Sequence, residues 1–293
     1  MQEIYQYSEE NDEILIKAYK GDAAHISIPY ALLGKKVTQL LPYAFSNLRF
    51  IESVCIPEGV EAIGDHCFYD CRMLKKLVMS DRIKYMGDGV LKNCLSFHEL
   101  ELDAKAETMY PLKGVLSEVN EEILVRIYYG ELREKVELLF PRYLHDYEEN
   151  TMARIINQVT YGCGVHYREC VNDEQIDFDS YDELFSFAKA NEEERVVEMI
   201  ALLRIRYPFH LWKEKKKIYL EYLGEHFVNM ATHLIRADDM SQFQFLLGLP
   251  IVKKEWMDEL LIIAQRAEKI EYSTLLLTIK GRKFGNEKKT FLF

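Results

Sequence analysis

The sequence predicts an α+β chain, with a short β-solenoid over residues 1–120 and an all-helical region at the C-terminal end. Two observations predict it. The first is a self-similarity with a 23-residue period: Val54-Cys55-Ile56-Pro57 recurs as Leu77-Val78-Met79-Ser80 and again as Leu100-Glu101-Leu102-Asp103. Without a gap, Val60 falls on Ile83, Ile63 on Met86, Gly64 on Gly87, Phe68 on Leu91 and Cys71 on Cys94. An earlier copy runs from Ile26-Ser27-Ile28-Pro29 through Val37, Leu40, Phe45 and Leu48, lengthened around Leu33-Gly34-Lys35-Lys36. A fixed period of about 20–29 residues marks units that cannot bury their apolar face alone and must stack. The second observation is a change to helical spacing of apolar residues beyond Gly130.

Each coil reads as three short pieces. Apolar residues two apart (Ile26/Ile28, Val54/Ile56, Leu77/Met79, Leu100/Leu102) make a strand with one buried face. A Pro or turn residue ends it, because Pro has no ladder donor. A second apolar pair follows (Val37/Leu40, Val60/Ile63, Ile83/Met86), and Gly64 and Gly87 are expected where the chain turns sharply. The third piece carries Phe45/Leu48, Phe68/Cys71 and Leu91/Cys94, which makes Cys71 and Cys94 small core residues.

The run Tyr19-x-Gly21, Ile26-x-Ile28-Pro29, Gly34-Lys35-x-Val37-Thr38-x-Leu40, Ala44-Phe45-Ser46-Asn47 and Ile56-Pro57-Glu58-Gly59-Val60-x-x-Ile63-Gly64-x-x-x-Phe68-x-x-Cys71-x-x-Leu74 resembles the BspA-type leucine-rich repeat family. The resemblance covers residues 13–103. It implies a leucine-rich-repeat recognition scaffold with no catalytic residues. Met79-Ser80-Asp81-Arg82 and Val90-Leu91 depart from the pattern, as a repeat next to a cap does. Three to four coils are expected.

A second echo places a boundary. Glu13-Ile14-Leu15-Ile16-Lys17-Ala18-Tyr19-Lys20-Gly21 resembles Glu122-Ile123-Leu124-Val125-Arg126-Ile127-Tyr128-Tyr129-Gly130. The first is expected to open the solenoid and the second to pair near its far end, covering exposed ladder edges. Asp103–Asn120 then reads as a connector, and residues 121–180 as a strand–helix capping region. Leu132–Asn150 and Thr151–Tyr161 read as helical. Ser180-Tyr181-Asp182-Glu183 reads as a capping-box start before Leu184 and Phe185. Residues 181–293 are expected to be helical, with segments at Glu192–Tyr207, Lys213–Leu223, His226–Arg236, Met240–Leu247, Lys254–Ala267 and Ile270–Ile279. Their rhythm is ankyrin-like, although the Thr-Pro-Leu-His signature is missing.

Composition narrows the function. A hydrophobic content of 48% in 293 residues suits packed domains, and the net charge of −11 argues against a general nucleic-acid binder. The basic runs Lys213-Glu214-Lys215-Lys216-Lys217 and Lys280-Gly281-Arg282-Lys283 read as solvated helix and tail ends. No apolar stretch is long enough to span a membrane, and the first residues show neither a basic nor an apolar leader pattern. A cytoplasmic protein with six reduced cysteines is therefore expected.

No motif for phosphate cradling or metal-assisted hydrolysis is present, and no cofactor is expected. The nearest chemical candidate is Cys163-Gly164-Val165-His166-Tyr167-Arg168-Glu169-Cys170, where Cys163, His166 and Cys170 would supply three zinc ligands. Its bland counterpart is a Gly-flanked turn with half-buried thiols between a helix and a short strand. Two functions remain. One is a non-enzymatic intracellular scaffold for a protein partner, using a repeat face with Glu52, Lys75 and His98. The alternative is a metal-dependent or cysteine-based enzyme, or a zinc-stabilised domain, centred on residues 163–170.

Overall fold

The computed structural model describes residues 4–105, 108–150 and 155–284. Two compact units divide the chain, Met1–Glu192 and Glu193–Phe293. The regions expected at 1–120 and 121–180 both fall in the first unit.

Strands β1 (Tyr5–Glu10), β2 (Glu13–Tyr19), β3 (His25–Ser27), β4 (Ala31–Leu32), β5 (Lys35–Leu40), β6 (Ser53–Cys55), β7 (Ala62–Ile63), β8 (Lys76–Ser80), β9 (Tyr85–Met86) and β10 (Glu99–Ala104) build the coils. One sheet has the order β1-β2-β5-β7-β9, with β4 beside β5. Helix α1 (Tyr110–Glu118) follows β10, and strands β11 (Ile123–Tyr129) and β12 (Glu134–Phe140) complete a second sheet, ordered β12-β11-β10-β8-β6-β3. The 23-residue period becomes register here. Ile26 lies opposite Val54, Val54 opposite Leu77, Leu77 opposite Leu100, and Leu100 opposite Val125. All five are buried. A one-residue slip would turn the whole row to solvent, so burial pins the pairing.

The parallel run from β3 to β11 makes the solenoid about five turns long, more than the three to four coils read from the repeat. Strand β11 is the extra turn. The Glu122–Gly130 echo does pair at the far end, and the solenoid therefore extends past residue 120. The connector expected at Asp103–Asn120 contains α1. Pro111 sits in its first turn, and Pro111, Leu112, Val115 and Leu116 are buried.

The third side of each coil is held by backbone bonds to the next. Phe45 N–H donates to Cys67 O (2.9 Å) and Phe68 N–H to Val90 O (3.0 Å). Aromatic rings follow the same path: Tyr5, Tyr19, Phe45 and Phe68 have successive centroid separations of 5.3, 5.7 and 5.4 Å. Cys71 is a core residue as expected, whereas Cys94, in the last coil, is only half-buried; each thiol donates to the carbonyl of an aromatic residue, Phe45 or Phe68 (3.0 and 3.1 Å).

The glycines act differently from expectation. Gly64 and Gly87 do not have left-handed backbones. A Cβ on Gly64 would lie 2.5 Å from Pro42 N, and one on Gly87 2.5 Å from Asp65 N. Crowding by the preceding coil is what requires glycine there. Two sets of left-handed positions recur at the repeat period, Tyr43, His66 and Gly89, and Asn47, Asp70 and Asn93.

One edge of each sheet is covered by an added strand. Antiparallel β1 covers β2, and antiparallel β12 covers β11. At the last coil no following carbonyl exists for the Val90 and Leu91 amides. The Glu118 carboxylate, at the end of α1, accepts both, at 3.0 and 2.7 Å.

The segment expected to be helical over Leu132–Tyr161 is strand. Besides β12 it forms a hairpin of β13 (Leu144–Asn150) and β14 (Ile155–Tyr161). Thr151 and Met152 lie outside the described residues. The reason is tertiary: β11 offers an open edge, and the run Val136–Phe140 is buried throughout against it and its surroundings. Burial on both faces, with Glu137 the one charged residue among Val136, Leu138, Leu139 and Phe140, removes the alternation that would separate strand from helix. Helices α2 (Gly164–Glu169), α3 (Phe178–Glu183) and α4 (Phe185–Asn191) follow. The capping box expected at Ser180 is displaced. Asp177 is the N-cap, accepting from Ser180 N–H at 3.0 Å.

The second unit is helical as predicted: α5 (Glu194–Arg206), α6 (Lys213–Glu225), α7 (Phe227–Ala237), α8 (Met240–Gly248), α9 (Lys254–Arg266) and α10 (Ile270–Phe284). Neighbours pack as α5 with α6, α7 with α8 and α9 with α10, while α5 also meets α7 and α7 meets α9. Three helical hairpins thus stack through their first helices. No described helix is long and apolar enough to cross a membrane.

Replacing Glu118 by Ala strands two buried amides, each costing about 1–3 kcal/mol. The midpoint of urea unfolding is expected to fall accordingly, with Glu118→Gln less affected. An unchanged midpoint would show that water replaces the carboxylate.

Candidate functional site

The predicted face is assembled as a ladder. Glu52, Lys75 and His98 stand just before β6, β8 and β10, and Lys75 N–H donates to Glu52 O (2.8 Å) and His98 N–H to Lys75 O (3.1 Å). Their side chains are not alike. Lys75 Nζ pairs with Glu52 Oε2 at 2.8 Å, whereas His98 Nδ1 lies 2.7 Å from Ser96 O.

Beside them, the outer face of the second sheet is a network of opposite charges. Lys76 Nζ meets Glu99 at 2.7 Å and Glu101 at 2.9 Å. Arg126 pairs with Glu99 and, at 3.1 Å, with Glu137, and Lys135 meets Glu137 at 2.6 Å. Burial pushes the Glu99 carboxyl up, and the Lys76 and Arg126 beside it outweigh that push, leaving it below the ordinary range. Hydrogen bonding to Lys75 lowers Glu52, and to Lys84 lowers Glu61.

A different feature emerges in the helical unit. A groove of about 800 Å³ is lined by Lys213, Lys216, Lys217 and Lys253, by Glu221 and Glu225, and by Leu220, Ile251 and Trp256. Trp256 stacks on Phe227 at 4.6 Å and 15°, and Lys253 Nζ lies 4.8 Å over its ring. Lys217 reaches Glu221 at 3.6 Å, while Lys213 and Lys216 have no ion-pair partner among the described residues. The sequence signal was visible as Lys213–Lys217, but the run read as a solvated helix end because Trp256 is far away along the chain.

The segment 163–170 is helix α2, not a turn leading into a strand. Cys163 and Cys170 are buried rather than half-buried, and His166 is exposed at 47% of its side chain. His166 Nδ1 lies 3.1 Å from Glu169, and its ring packs on Phe187. Burial, foremost, raises the Cys163 thiol, and burial pushes Cys170 up to about 12, so both are thiols rather than thiolates at neutral pH. These three residues do not form a ligand group. Among the described residues the one such group is Glu194, Glu198 and His226.

What the segment does hold is Arg168. Its buried guanidinium donates to the carbonyls of Val119 (3.0 Å), Pro141 (2.5 Å), Gly164 (3.0 Å) and Glu121 (2.7 Å), and lies over the Tyr143 ring at 4.8 Å. Burial lowers its pKa to about 10, still well charged at neutral pH. It fastens the end of α1, the start of β11 and the end of β12 to α2.

Residues 23–111 match the family model described as BspA type Leucine rich repeat region, in six copies. No curated protein matches the chain. Solved structures similar to it include a leucine rich cell surface protein from Faecalibacterium prausnitzii, at 24% identity and a TM-score of 0.31, covering 38% of this chain and 33% of that one. The chain thus spans about a third of that relative's length. The T. pallidum leucine-rich repeat protein matches at 18% identity and a TM-score of 0.27, over 35% of this chain and 70% of its own. A leucine-rich repeat protein from Bacteroides capillosus matches at 20% and 0.31, over 33% and 77%.

Two tests follow. Arg168→Leu leaves four carbonyls without their charged donor and is expected to destabilise the first unit by more than about 3 kcal/mol, since bonds to charged groups are worth about 1.5–3 kcal/mol each; denaturant unfolding reads it. For the charged face the sign is set by depressed carboxyls. Their stabilisation is present above the unfolded carboxylate range, near about 4.3, and is lost as pH falls through the lower folded values. The melting temperature should stay level from pH 7 to about 5 and drop below about 4. Glu99→Gln should be less stable at neutral pH and lose less on acidification. Residues 23–111 of this chain are a BspA-type leucine-rich repeat region.

Proposed function

We propose that this protein is a non-enzymatic, intracellular interaction scaffold whose partner-binding site is the lysine groove of the helical unit. Leucine-rich repeat proteins are in general protein-interaction platforms, and that supports a protein partner for this chain. The observation that carries the choice of site is the groove itself. Four lysines gather around Trp256 in a chain of net charge −11. Four lysines against Glu221 and Glu225 leave the groove net positive, a net charge steers a complementary partner, and a half-buried tryptophan gives it an apolar anchor. The occupant is an acidic peptide segment carrying one large apolar side chain. The outer sheet face supports the reading by contrast, since its lysines and arginines are already paired with its own carboxylates. The intracellular placement rests on reading the six cysteines as thiols.

The test uses an acidic peptide bearing one leucine or phenylalanine, with Trp256 fluorescence isolated by Trp212→Phe. Binding should weaken steeply with salt and fall at least tenfold in Lys216→Glu/Lys253→Glu. Capture of partners from the source's lysate should fall in parallel. Binding that survives this double reversal would refute the groove. Loss on Glu52→Lys/Lys75→Glu instead would move the site to the repeat face.

A further inference from the structure

We propose that Glu194, Glu198 and His226 form a binding site for a zinc-class divalent cation that ties α5 to α7. One carboxylate oxygen of each glutamate and one ring nitrogen of His226 all lie within 4.8 Å of one another. Glu194 and Glu198 are four apart on α5 and therefore share a face, and His226 is the residue at which α7 begins.

Glu198 is the second and independent observation. Its side chain is 0% exposed, yet its Oε1 has no hydrogen-bond partner. A buried carboxylate oxygen left bare is costly, and a proton or a cation beside it removes the cost. The other oxygen is accounted for: His233 Nδ1 lies 2.7 Å from Oε2. That contact fixes the carboxylate as an outer partner orients a metal ligand. His233 is thus a positioning residue.

Glu194 and His226 are already drawn together. Nδ1 lies 2.6 Å from Oε1, and Asn229 Nδ2 holds the same oxygen at 3.2 Å. Zinc bonds of about 2.0–2.2 Å place tetrahedral ligands about 3.3 Å apart, so the cation replaces the bridging proton after a small opening of this pair. Mixed imidazole and carboxylate donors suit zinc better than calcium or magnesium, which take oxygen ligands alone. The side chains of Glu194 and His226 remain 44% and 31% exposed, which leaves a path for entry and a fourth position for water. In the sequence Glu194 stands in the run Glu192-Glu193-Glu194, and nothing local links it to His226, which comes from another part of the chain.

The experiment titrates chelator-treated full-length protein with Zn²⁺ by calorimetry and with Co²⁺ by absorption. One equivalent should bind, the melting temperature should rise, and the cobalt spectrum should show ligand-field bands without a thiolate charge-transfer band. Glu194→Gln and His226→Asn change partly exposed residues, so metal-free melting reports whether they fold. Each should weaken binding at least tenfold, and His233→Asn about 10–100-fold. Absence of saturable binding, binding unchanged in both ligand variants, or a thiolate band that disappears in Cys163→Ser would each overturn the proposal.

Discussion

The first unit depends on one constraint: the ladder amides and the inward side chains of each coil are met by the coil beside it, while its turns close on themselves. The register Ile26, Val54, Leu77, Leu100 and Val125 is the side-chain form of that rule, and Phe45 N–H to Cys67 O is its backbone form. Neither can be met at an end. The chain therefore supplies substitutes of the same chemistry. Tyr5 and Tyr19 extend the aromatic row ahead of Phe45, β1 and β12 cover strand edges, and Glu118 stands in for carbonyls of a coil that does not exist. A carboxylate suits that position because its two oxygens accept two adjacent amides at once.

This constraint explains what the sequence could and could not reveal. Contacts between coils repeat at a fixed offset, so Val54 and Leu77 announce their pairing. The all-helical second unit was equally legible, because each helix buries one stripe of its own surface. The place of the far cap was legible from the Glu122–Gly130 echo, but the pieces that make the caps were not, since each occurs once. Glu118 carries no periodic signal, and β12 read as helix because burial on both faces erases alternation. Arg168 illustrates the same limit. Within Cys163–Cys170 the cysteines and histidine attracted attention, but the residue that organises the segment is the arginine, and its four carbonyl partners lie on pieces of chain that no local pattern connects. The groove and the Glu194/Glu198/His226 group share this property, being assembled from different helices.

Electrostatics then separates surface that holds the fold together from surface left over for partners. On the second sheet the cations are already paired with carboxylates, Lys76 with Glu99 and Arg126 with Glu99 one coil away, and Arg126 and Lys135 with Glu137 on the covering strand. An incoming ligand would have to break such pairs before gaining anything, and exposed pairs that merely exchange partners yield little net free energy. Lys213 and Lys216 carry no such obligation. Their charge is available at no internal loss, and the excess of acidic residues elsewhere makes the groove a local exception in the field of the chain. The same reasoning applies at smaller scale to Glu198. Its unpartnered oxygen is a polar group whose requirement the fold leaves unmet, in a unit where the other buried charge, Arg204, is bound to the Tyr207 and Phe209 carbonyls. Binding capacity lies where the fold's own interactions end, and in the helical unit that is at lysines without carboxylates and at a carboxylate without a donor.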